Sequence, residues 1–184
     1  MKRLLLFFAF AASIDIASAD QFATGQAADV VLGQQDFVSG SSSSGPDRFN
    51  IPRSVTVAPG SGKVFVSDSG NNRILRFSST AAAISGSDAE AVFGQVDFTS
   101  TAANQGGATE ANTLSFPLQV LVDPNDRLWV VDSGNHRILA YPGASDSADN
   151  PNATIIFGQS LFTTAATGTG LAAMNSPAGL SVGS

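Results

Sequence analysis

A twelve-residue stretch occurs twice in this chain. VFVSDSGNNRIL spans Val64 to Leu75 and LWVVDSGNHRIL spans Leu128 to Leu139, with eight of the twelve positions identical at an offset of 64 residues. Self-similarity at a fixed spacing constrains the architecture more than any single residue, because copies fold alike and must pack on one another. Each copy reads as a strand (Val64–Ser67 and Leu128–Val131), a tight turn, and a second strand (Arg73–Phe77 and Arg137–Tyr141). Gly70 and Gly134 suit a turn position that needs φ > 0. Asp68 and Asp132 can accept hydrogen bonds from the turn's own amides, and Arg73 and Arg137 stand close enough in sequence to offer each aspartate a partner. The expected unit is a β-hairpin, repeated.

A second element recurs around the first. Val30-Val31-Leu32-Gly33-Gln34, Val92-Phe93-Gly94-Gln95 and Ile156-Phe157-Gly158-Gln159 share one pattern, and the last two each follow a hairpin. Each reads as a fourth strand. Glycine inside a strand marks a bulge or a close backbone approach, and the repeated glutamine reads as a satisfied edge residue. Four strands then fall to each unit: Ser54–Val57, Val64–Ser67, Arg73–Phe77 and Ala91–Gly94, then Gln119–Val122, Leu128–Val131, Arg137–Tyr141 and Thr154–Gly158. The inner strands are apolar at successive positions (Val64-Phe65-Val66, Leu128-Trp129-Val130-Val131), as expected of sheets covered on both faces.

The strand–turn–strand with its leading proline resembles the NHL repeat, a β-propeller blade of pattern P-x-G-V-x-V-D followed by V-A-D-x-x-N-x-R-I. PRSVTV (Pro52 to Val57) leads the first copy, PLQVLVD (Pro117 to Asp123) the second, and PAGLSV (Pro177 to Val182) begins a third. The resemblance covers roughly residues 28 to 184. It implies an all-β propeller of four-stranded antiparallel blades at about 52–95 and 117–159, a third beginning at 177, and single strands at both ends. Propellers close with ~4–8 blades, so the chain is expected to be the N-terminal part of a longer, exported, bacterial-type protein. The alternative is a short chain that builds a ring from several copies. On its own it is expected to associate through uncovered blade faces.

The spacing of the copies exceeds the ~40–50 residues usual for propeller repeats. The excess sits in Asp36–Ile51, Asp97–Phe116 and Leu161–Ser176, which join each fourth strand to the next blade. Strand directions alternate within a blade, so these loops emerge on the same face as the DSGN turns. Long loops gathered on one face of a scaffold are where binding residues usually sit. The competing reading is solvated decoration, given their Ser, Thr, Ala and Gly content.

The N-terminus carries its own signal. Lys2 and Arg3, the apolar run Leu4–Ala12 and the small-x-small site Ala17-Ser18-Ala19 describe a signal peptide over residues 1–19, with a loose leader over 20–28. The apolar run falls short of the ~20 residues that a spanning helix needs. The expected location is therefore secreted or periplasmic. Cleavage would leave seven basic and fourteen acidic residues, a surface that repels phosphate backbones and argues against nucleic-acid binding. There is no cysteine, so stability must come from packing.

No arrangement for covalent, metal or phosphate chemistry stands out, and the expected cofactor is none. Asp68, Gly70, Arg73, Asp132, Gly134 and Arg137 read as structural turn residues. A ring of the aspartates could instead line a channel that holds Ca²⁺, which takes oxygen ligands. If the turns touch a partner, Asn71, Asn72, Asn135 and His136 are the residues placed to do so; His136, the single histidine, stands where the first copy has Asn72. Asn152-Ala153-Thr154 is a glycosylation sequon. Two function classes stay open: a binding scaffold for a protein or glycan partner, and, as the resemblance implies, a lyase- or lactonase-type propeller enzyme with a metal in its central channel.

Overall fold

The computed structural model describes residues 24–25, 27–170 and 172–181. Both the proposed signal peptide and Val182 lie outside them. The chain forms two four-stranded antiparallel sheets, each in sequence order. The first holds β1 (Pro52–Val57), β2 (Lys63–Asp68), β3 (Arg73–Ser79) and β4 (Ala91–Phe93). The second holds β5 (Pro117–Val122), β6 (Leu128–Asp132), β7 (Arg137–Tyr141) and β8 (Ile155–Phe157). Their register repeats as the sequence does. Val66 pairs with Leu75 and Asp68 with Arg73, and Val130 pairs with Leu139 and Asp132 with Arg137.

Period-two geometry then sorts the side chains. Phe65, Ile74, Ala91 and Phe93 of the first sheet face Val120, Val122, Leu128, Val130, Leu139 and Tyr141 of the second, forming one buried core between them. Phe93 meets Tyr141 edge-on at 5.5 Å between ring centroids. Each large side chain buried there is worth ~1.5–3 kcal/mol, which explains why consecutive strand positions are apolar. The outward face of the first sheet (Val64, Val66, Leu75, Phe77, Val92) is covered by Leu32, Phe49 and Phe98.

The two single end strands do not form. Val30–Leu32 lies against the first sheet, where Val31 N–H meets Ser85 Oγ at 3.2 Å and Val31 C=O receives Gly86 N–H at 3.3 Å, without a ladder. Residues 177–181 are likewise outside any strand. A strand is defined by the neighbour that accepts its hydrogen bonds, and neither segment has one among the described residues. No helix among the described residues is long and apolar enough to cross a membrane.

Candidate functional site

The DSGN turns connect β2 to β3 and β6 to β7 as one 3₁₀ turn each, Ser69–Asn71 and Ser133–Asn135. Asp68 and Arg73 face each other across the strand ends, fully buried, with Nε–Oδ2 at 2.7 Å; Asp132 and Arg137 repeat this at 2.7 Å. Asn71 Nδ2 donates to Asp68 Oδ2 at 2.8 Å, and Asn135 Nδ2 to Asp132 Oδ2 at 2.8 Å. The other carboxylate oxygen does not bind the turn's amides. It takes the N–H of Asn50 at 2.6 Å in one copy and of Ser115 at 2.7 Å in the other. The aspartates therefore hold the loop that enters the sheet, a distant segment rather than the turn itself. Burial pushes both carboxyls up from their ordinary value, while the arginines and the amide donors pull against it.

The arginines extend the same grip. Arg73 donates to the carbonyls of Phe98, Gly45 (2.8 Å) and Arg48 (3.0 Å). Arg137 donates to those of Phe162 (2.5 Å), Glu110 (2.9 Å) and Thr113 (2.8 Å). A guanidinium presents five donors in a rigid fork, so one buried side chain binds the loop before its sheet and the loop after it. Gln95 adds a third anchor, donating to the carbonyls of Asn72 at 3.1 Å and Ala102 at 2.8 Å; Gln159 does the same to His136 and Ala166 at 3.2 and 2.8 Å. The long loops are thus tied to the DSGN turns and share their face.

Gly70 and Gly134 are required for a reason other than the expected one. Neither has positive φ; the left-handed residues are Asn72 (φ 54°) and His136 (φ 56°). A Cβ at Gly70 would meet Asn50 O at 2.7 Å, and one at Gly134 would meet Ser115 O at 2.7 Å. Those carbonyls accept the glycine N–H at 2.8 and 2.9 Å. Close approach, not handedness, excludes a side chain.

The four residues placed to touch a partner each make hydrogen bonds within the chain. Asn71 and Asn135 are buried in the aspartate–arginine clusters. Asn72 Oδ1 accepts the N–H of Phe116 at 2.7 Å, and His136 Nδ1 accepts that of Ser176 at 3.0 Å. Both donors are left-handed residues that precede a proline, with φ of 47° and 46°. Asparagine and histidine thus supply the same acceptor to the start of the following repeat. The resemblance between the copies could have shown this, since both residue types offer an unprotonated acceptor at that reach.

The family model of the NHL repeat matches residues 49–77 and 114–141. Each segment runs from the entering loop through the third strand, spanning the aspartate, its arginine and the amide that the aspartate receives. The chain carries two NHL repeats. Its two four-stranded sheets are blades of the β-propeller type. No curated protein matches the chain. Among the described residues no three His, Cys, Asp or Glu side chains cluster to hold a metal ion.

The long loop that joins the two blades is held by its own hydrogen bonds. Between Gly94 and Leu114, Gln105 Nε2 donates to Asn112 O at 2.9 Å and Asn150 Oδ1 at 3.0 Å, and Asn104 exchanges amide hydrogen bonds with Asn135. Asp97 Oδ1 takes the N–H groups of Thr99 and Ser100 at 2.8 and 2.7 Å. The solvated-decoration reading does not describe such a loop. It is a shaped surface.

Proposed function

We propose that this protein is an exported binding scaffold that engages a protein or glycan partner through the loop-bearing face of its propeller. The observation that supports it is the pinning of the long loops by buried Arg73, Arg137 and Gln95, which presets their shape before any partner arrives. Preset loops lower the ordering cost of association. The exposed stretch Thr101–Ala103 and Gly106–Ala108 would form the contact, supported by the hydrogen bonds of Gln95 and Gln105 beneath it. Export rests on the Lys2-Arg3 charge, the apolar run and the Ala17-Ser18-Ala19 site.

The test is a screen of the immobilised chain against glycans and extracellular proteins, with two controls. In one, residues 101–108 are replaced by a Gly/Ser linker; in the other, the opposite-face turn at Gly60 and Ser61 is altered. Binding that disappears with the loop and survives the turn supports the reading. Binding indifferent to the loop, or dependent on the turn, overturns it. N-terminal sequencing of the exported form is expected to begin at Asp20 or within a few residues, and an intact Met1 in the cytosol would contradict export.

A further inference from the structure

The innermost strands of successive repeats lie side by side through side-chain bridges. Ser54 Oγ of β1 receives Val120 N–H of β5 at 3.2 Å. One repeat later, Gln119 Oε1 of β5 receives Leu180 N–H at 2.7 Å, and its Nε2 donates to Leu180 O at 3.0 Å. At the head of these three segments, next to the DSGN turns, lies an open cleft of about 420 Å³ lined by Arg53, Ser54, Leu118, Gln119 and Ala178. We propose that this cleft binds a small organic carboxylate with Arg53 as its anchor. The inference rests on the reading of the loop-bearing face as the binding face, and it names the chemistry of one ligand there.

Three observations carry it. First, Arg53 is the one cation among the described residues with no carboxylate partner. Arg48, Lys63, Arg73, Arg76, Arg127 and Arg137 each have an aspartate or glutamate within 4.0 Å. In a chain of net charge −6, an exposed arginine without a counter-ion is the exception. Second, it is oriented. Its guanidinium carbon lies 5.9 Å from the centroid of the Phe116 ring, a cation–π contact that spends no N–H donor and leaves the planar fork for a bidentate acceptor. Third, the rest of the lining matches one charged end and one short carbon chain. Ser54 Oγ accepts from Val120 and still has its own O–H to donate, whereas Leu118 and Ala178 provide apolar walls. A single cation in an acidic field matches a monoanion better than a phosphate, which carries about −1.5 to −2 near neutrality.

The experiment uses the full chain labelled with ¹⁵N and titrated with sodium butyrate, with sodium chloride at matched ionic strength as the control. Saturable shifts of Arg53 Nε–H and the Leu118 and Ala178 amides are expected, all with one Kd. Arg53→Gln is expected to weaken binding about tenfold, the loss of a charge-assisted bidentate contact. Arg53 is exposed and makes no buried contact, so this variant should keep its melting temperature. Shifts that chloride reproduces, binding that Arg53→Gln leaves unchanged, or tighter binding of inorganic phosphate would each overturn the assignment. Partner capture that depends on the 101–108 loop, with no saturable butyrate shift, overturns this inference and leaves the binding-face reading standing. An Arg53-dependent butyrate shift with no loop-dependent partner supports the cleft and removes that reading.

Discussion

Phe93 in the first blade and Phe157 in the second occupy the same repeat position, yet Phe93 is 0% exposed and Phe157 50%. Phe65 and Trp129 repeat the contrast, one fully buried and the other half-buried. The reason is the neighbour. Phe65 and Phe93 look toward the second blade and enter the shared core, whereas Trp129 and Phe157 look away from it and stack on each other at 6.0 Å. Trp129 also gives its indole N–H to Asp123 at 2.9 Å, with Arg127 over its ring at 5.5 Å. Inside the turns the two blades are alike to within about 0.1 Å in every hydrogen bond of the aspartate cluster. Repeats are conserved where they bind their own loops and diverge where they meet what lies beside them.

The largest test of that likeness is removal of the buried pair. Asp132→Ala leaves the buried Arg137 charge without its counter-ion and the Ser115 N–H without an acceptor, while Asn135 keeps only its bond to Asn104; a broken buried pair costs ~3–5 kcal/mol. Asp68→Ala should cost the same in the first blade. Thermal melts of both variants check this. If one variant kept its melting temperature while losing a ligand, the two clusters would no longer be equivalent. Gly134→Ala and Gly70→Ala come next, at ~1–3 kcal/mol of overpacking. Asparagine at either glycine should be no better than alanine, because the obstacle is a carbonyl at 2.7 Å and not a left-handed backbone.

Two smaller effects separate the blades. Tyr141 stands where the first blade has Phe77, and its hydroxyl is buried without a hydrogen-bond partner. Burial pushes the phenol well above its ordinary value. Tyr141→Phe is expected to leave stability unchanged or raise it by up to ~1 kcal/mol, measured by denaturant midpoint. At the other divergent turn position, His136→Asn should be close to neutral because Asn72 already performs that role. His136→Leu should cost ~1 kcal/mol by leaving the Ser176 N–H without an acceptor.

The smallest effect is electrostatic. The N–H groups of Ser100 and then Thr99 hold the Asp97 carboxyl at about 2, below its ordinary 3.8. A value depressed by folding means that the contribution is complete above the ordinary value and fades as pH falls through the folded one. The Thr99 and Ser100 amide resonances should therefore shift as pH falls from about 4 to about 2. Leu161 holds the equivalent place in the second blade, and its loop should show no such titration.

The eight blade strands, their grouping into two four-stranded blades and the partnership of each aspartate with its arginine are legible in the chain alone. They follow from period-two burial and from two copies whose local chemistry is the same. All eight strands lie where the pattern puts them, within two residues at either end. Local sequence does not say what a side chain meets across space. The amides of Asn50 and Ser115 reach the aspartates from 18 and 17 residues away, so the turn's own amides were the nearer and wrong expectation. The glycines answer to those same distant segments. Asn72 and His136 show surface character in sequence because the donors they serve, Phe116 and Ser176, belong to the next repeat. The Arg53 cleft exists only where β1, β5 and the segment around Ala178, far apart in the chain, converge. Short-range pattern determined the blades; packing between segments far apart in the chain decided which of their polar groups are committed and which one is left to bind.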